Sequence, residues 1–236
     1  MTINIAFDFR DDTPAGKDPD ACSPTLRSYH KLLWSKALPG GGHFALDDSR
    51  RKPYLHHRSE LGEFFMSSDS VFPTFTRWGF AKNHPELVPE EESKAFMALS
   101  YTIGGMMLFP GDRVDGKWTI NQARGCVRKI SDRFDLTLEC IRRHYQGKPS
   151  PLADTLARYP RFFALFGDFG GYVNFFLLQD LMTQDGSAVS TFPPFDDFSG
   201  PAVPQDLETY REYRRRTQEF IHARNARIQR YAASLA

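Results

Sequence analysis

Only three of the 236 residues are cysteine, Cys22, Cys126 and Cys140, an odd number without a CxxC pair. A disulfide-stapled secreted scaffold is therefore excluded, and reduced thiols in a reducing compartment follow. If Cys126 and Cys140 share one straight helix they stand about 21 Å apart, beyond disulfide reach. No apolar stretch approaches the roughly 20 residues needed to span a bilayer; the longest, 101–109 and 175–178, fall far short. The N-terminus lacks the charged start and apolar run of a signal peptide, so a cytoplasmic protein with no membrane partner is expected. Net charge is scarce as well: 30 Lys and Arg against 29 Asp and Glu leave +1. No global field draws nucleic acid or an anionic surface.

Recognised chemistry is equally sparse. The seven histidines form no HExxH, HxH or Cys/His zinc pattern. Neither GxGxxG nor GxxxxGK is present, and no GxSxG elbow offers a serine nucleophile. No metal ligand set is assigned, and the cofactor and oligomeric state stay open. Repeats and low-complexity tracts are absent.

What the chain has is an ordinary globular balance, 41% hydrophobic and 25% charged, with 21 Phe. That supplies one sizeable core, and a single domain over 1–236 is expected. Residues 3–9 alternate like a short strand. Ser23 and Pro24 open a helix that stops before Pro39 and three glycines. Within 43–95, 44–46, 63–66 and part of 71–80 look like strands punctuated by Ser, Asp and Pro, and Pro89 opens a short helix with acids in its first turn. Residues 100–109 read as a buried strand, with Gly104 and Gly105 marking a bulge or close approach and 117–120 its hairpin partner. Helices are predicted at 122–146, 151–166, 171–183 and 206–232; the proline-rich 191–201 is a loop. The fold class is α+β, a small mostly antiparallel sheet from the N-terminal half packed against helices of the C-terminal half.

The most pointed segment is 119–145. On a helical wheel Val127, Ile130, Phe134, Leu138, Ile141 and Tyr145 make a core face. Beside them run Arg124, Arg128, Asp132, Asp135, Glu139, Arg142 and Arg143, and beyond those the apolar Leu136 and Cys140. Charge between two apolar surfaces is either a structural network or a site. In the structural reading, Arg128–Asp132 and Glu139–Arg143 are i,i+4 pairs. In the functional reading, Asn121, Arg124 and Arg128 grip a phosphate or carboxylate near the helix start, with Arg142 a further ligand-binding candidate, while Asp132, Asp135 and Glu139 act as catalytic acids or bases. Asp135 and Glu139 also have the spacing for a hard cation, but such pairs recur on ordinary helices.

From 207 onward seven Arg face three Glu. A basic helix with aromatic neighbours can contact a phosphate backbone, and nucleic acid is the lesser partner reading. Arg224 falls inside the apolar stripe of this helix and predicts a buried carboxylate or a ligand anion. The stretches 23–36, 101–110, 119–125, 132–143 and 172–181 together resemble an uncharacterised bacterial family, a domain of unknown function. The resemblance spans nearly the whole chain and implies a bacterial intracellular protein of one domain, with no catalytic role to carry over. The leading expectation is a pocket for an anionic small molecule or nucleotide phosphate. The alternative is a non-catalytic protein that binds nucleic acid or a protein partner through its basic C-terminal helix.

Overall fold

A computed structural model describes residues 3–48, 54–73 and 80–235. Its helices are α1 (Pro19–Cys22), α2 (Pro24–Trp34), α3 (Phe80–Asn83), α4 (Glu90–Ser100), α5 (Ile120–Cys126), α6 (Phe134–Tyr145), α7 (Ala153–Leu156), α8 (Pro160–Ala164), α9 (Phe169–Phe175) and α10 (Leu207–Ala233). Strands β1 (Lys36–Ala37) and β2 (His43–Phe44) form a small ribbon, and β3 (Asp47–Asp48), β4 (Leu55–Ser59), β5 (Gly62–Ser70) and β6 (Met106–Pro110) an antiparallel sheet in that order. This is the expected α+β class. No helix among the described residues is long and apolar enough to cross a membrane.

The sheet centres on β5. It pairs β4 through a tight hairpin, Ser59 opposite Gly62, and β6 from Met66–Pro110 to Ser70–Met106. All five residues of β6 are buried, as befits a strand covered on both faces. Helix α10 packs at the turn leading into β6. A side chain at Gly104 would lie 2.6 Å from the Ile221 carbonyl, and one at Gly105 would lie 2.2 Å from the Ser100 carbonyl. The expected close approach at these glycines is therefore real, and Asn225 uses it to accept from the Gly104 N–H at 2.7 Å.

Local signals explain where elements start. Ser23 caps α2 by accepting from Leu26 N–H, with Pro24 in its first turn. Asp206 caps α10 through Thr209 N–H. Thr119 and Gln122 form a reciprocal capping box on α5.

Several expectations are corrected. Residues 3–9 are turns, not a strand: the Asn4 carboxamide oxygen accepts from Ala6 N–H and Tyr29 hydroxyl accepts from Asn4 N–H, so local bonds replace a ladder. The polar residues 67–70, read as punctuation, continue β5. Only 106–110 of the buried strand is extended, and its partner is β5, not 117–120. Residues 151–166 and 171–183 each divide, at Pro160 and at Leu177, whose φ is 54°. Residues 71–73 are not in a strand, Phe80 opens a helix, and the rest of that expected strand, 74–79, lies outside the described residues.

The largest correction concerns 122–146. The helix stops at Cys126 and resumes at Phe134, and in between Ser131 and Asp132 have φ of 48° and 66°. In an unbroken helix Arg124 and Asp132 would be about 12 Å apart along the axis. Here Asp132 N–H donates to the Arg124 carbonyl at 2.8 Å, and its carboxylate reaches the Arg124 guanidinium at 2.9 Å. The turn exists because a buried Arg124 needs those oxygens. The predicted Arg128–Asp132 pair is accordingly replaced by Arg124–Asp132, whereas Glu139–Arg143 forms at 2.8 Å.

Candidate functional site

The polar end of β5 gathers three interior contacts. Ser68 hydroxyl meets His30 Nε2 at 2.9 Å, while Trp34 Nε1–H donates to His30 Nδ1 at 2.9 Å. The indole is only a donor, so His30 carries its proton on Nε2 and gives it to Ser68. Burial holds His30 neutral, its pKa lowered to about 3. Next, Asp69 meets Arg124 at 2.5 Å. Ser70 N–H then donates to Asp20 at 3.0 Å, leaving the other Asp20 oxygen buried without a partner.

Arg124 is fully buried. Besides Asp69 and Asp132 it donates to the Val71 carbonyl at 2.9 Å and the Asp132 carbonyl at 2.5 Å. Two carboxylates, Asp69 and Asp132, thus share one guanidinium. Burial raises Asp69 well above the ordinary range, Arg124 notwithstanding, and Asp132 is raised by burial too. Burial, then Asp18, raises Asp20 to about 6. Among the described residues no three His, Cys, Asp or Glu side chains are grouped to hold a metal ion.

The other expected site residues disperse. Asp135 is fully buried on α6 and paired with Arg133 at 2.5 Å; that arginine also donates to the carbonyls of Phe192, Pro194 and Ala202. The pair therefore staples the proline-rich 192–202 loop to α6. Glu139 accepts from Arg142 at 2.7 Å and from Arg143 at 2.8 Å. Burial alone would raise its pKa, but the two arginines outweigh burial and hold it below the ordinary range. Arg224 pairs with no carboxylate among the described residues. It donates to the carbonyls of Gly104, Met106 and Phe176 at 2.9–3.0 Å. Burial lowers its pKa to about 9, and at neutral pH it stays charged. Asn121 lines a cavity of about 510 Å³ with Tyr54, Ser67, Arg113 and Gln122. Its amide N–H₂ donates to Ser67 at 3.4 Å, and its carbonyl oxygen is buried without a partner.

Arg128 is different. It is exposed on the 127–132 turn beside Lys129, and both line a groove of about 750 Å³ with Ser131, Asn83, His84 and the 199–205 loop. Neither Arg128 nor Lys129 meets a carboxylate among the described residues, and none of the described lining residues is acidic. Adjacent cations beside a concavity attract anions, and desolvation within it strengthens the attraction. Of the expected acids, only Asp132 borders this region: it follows Ser131 and its side chain is 40% exposed. Lys129, His84 and Asn83 were not singled out by the sequence. The doublet Arg128-Lys129 was the available signal, obscured by placing both on a continuous helix.

The basic excess of α10 is offset in part. Arg214 pairs with Glu92, Arg215 with Glu212 and Glu219, and Arg227 with Asp180. No curated protein and no solved structure matches the chain. Residues 3–228 match DUF6994, a family of unknown function, and the chain belongs to that family.

Proposed function

We propose that this protein binds an anionic small molecule in the groove between the 127–131 turn, α3 and the 199–205 loop, with Arg128 and Lys129 as its anion-holding residues. The observation that carries this reading is a pair of adjacent cations that meet no carboxylate among the described residues, on the wall of a concavity, whereas the other buried or half-buried arginines are mostly matched to carboxylates or carbonyls. A groove of about 750 Å³ has the size of small-molecule sites, roughly 300–1,000 Å³. All three expected acids are committed to arginines, Asp132 to Arg124, Asp135 to Arg133 and Glu139 to Arg142 and Arg143, so the reading is of binding and assigns no acid–base residue. The same reading takes the chain as one domain, supported by a continuous cluster of buried side chains from Ile3 to Ala232. It also takes the protein as cytoplasmic, in keeping with its three free cysteines.

Calorimetric titration of pyrophosphate at low salt tests the site. Wild type should bind, with affinity falling as salt rises, and the Arg128→Ala/Lys129→Ala double variant should not. Equal binding by both proteins, or none by wild type, would dispose of the reading.

A further inference from the structure

The groove has a second chemical end. Tyr210 is fully buried on α10, and Phe80 stacks on it with ring centroids 5.9 Å apart at 27°. His84 continues the series, its ring 4.5 Å from Phe80 and tilted by 33°. Phe80 is almost wholly buried, whereas the His84 side chain is 44% exposed. An aromatic series thus rises from the interior and ends at the groove wall on the part-exposed imidazole of His84, whose Nδ1 also lies 3.4 Å from the Glu86 carboxylate. A flat ring extends such a series at little cost, since offset stacking favours aromatic faces in sequence. Asn83 lines the same wall, is exposed and has no hydrogen bond to the described residues. Its carboxamide both donates and accepts, as recognition of a heterocycle edge requires.

We propose that the groove takes a mononucleotide, its phosphates on Arg128 and Lys129 and its base on the outward face of His84, with Asn83 bonding the base edge. This rests on the anion reading above and adds the class of ligand. A bare phosphate or sugar phosphate would use the cations and leave the series unfinished. A nucleic-acid strand would need a track of cations, and Arg214, Arg215 and Arg227 of α10 are already paired with carboxylates.

Three titrants separate the two claims: ADP, ribose 5-phosphate and pyrophosphate. ADP should bind wild type roughly ten-fold or more tighter than either of the others, the size of one base–aromatic stack. His84→Ala should abolish that preference and leave pyrophosphate affinity unchanged. His84→Phe, which keeps a flat ring, should retain it. ADP binding no tighter than pyrophosphate, or a preference that survives His84→Ala, would overturn the nucleotide assignment and leave the anion site standing. Absence of binding by all three titrants would overturn both.

Discussion

Arg124 and Arg128 are four residues apart, and their surroundings are opposite. Arg124, like Arg133 and Arg224, is fully buried, and every one of the three is met by several protein oxygens. Arg128 and Lys129 are exposed and meet no carboxylate among the described residues, although they face a concavity. A buried cation without partners costs several kcal/mol, so the interior arginines had to be matched for the chain to fold. No such pressure acts on a solvated cation, and its lack of a partner leaves it free to hold something else. The interior set is therefore read as architecture and the groove set as recognition.

The sharpest way to break this contrast is to strand an interior charge. Asp135→Ala leaves Arg133 buried with only carbonyl partners and should cost about 3–5 kcal/mol in chemical denaturation. A loss below about 1 kcal/mol would mean that the pair is not structural. Arg124→Met should cost about 3 kcal/mol at pH 8 and less at pH 5. The sign follows from the acids around it. Asp69 is held above its unfolded value and Asp20 near 6, so the folded chain binds protons that the unfolded chain releases. This unfavourable contribution grows as pH rises above about 4, and removing Arg124, which lowers Asp69 and Asp132, enlarges it. A deficit independent of pH would refute the shared-guanidinium account.

His30 gives a smaller effect of opposite sign. Its folded pKa near 3 lies below its unfolded value of about 6.5, so its contribution is complete above that pH and lost below it. The stability gap between wild type and His30→Gln should shrink by about 1.4 kcal/mol per pH unit between roughly 6.5 and 4.5. A constant gap would show that His30 is not buried as a neutral group. The smallest effect belongs to the groove. Arg128→Ala and Lys129→Ala should each change stability by no more than about 0.5 kcal/mol, as for surface positions without a structural partner. Destabilisation above about 1 kcal/mol would move them into the interior class.

Elements with strong local signals were legible in the sequence: α2 from Ser23 and Pro24, α4 from its acidic first turn, and α10 from its apolar stripe. The class of fold followed from them. Residues 67–70 were not legible as strand, because three Ser and an Asp look like a loop until His30, Arg124 and Asp20 are seen to satisfy them. Nor was the break at 127–133, whose cause is the long-range demand of Arg124 for the oxygens of Asp69, Val71 and Asp132. That break decides the candidate site. Continuing the helix lines Arg124, Arg128, Asp132, Asp135 and Glu139 on one face; breaking it sends Arg124 and Asp135 into separate interior networks and turns Arg128 outward with Lys129. His84 stayed hidden because its significance lies in Phe80 and Tyr210, the latter 126 residues away in sequence.

The most direct measurement is an NMR titration of arginine Nε–H and histidine ring resonances with ADP. Progressive shifts at Arg128 and His84, with Arg124, Arg133 and Arg224 unmoved, are the predicted result. Shifts confined to the interior arginines, or none at Arg128 under saturating ADP, would contradict the division between matched and unmatched charge on which the account rests.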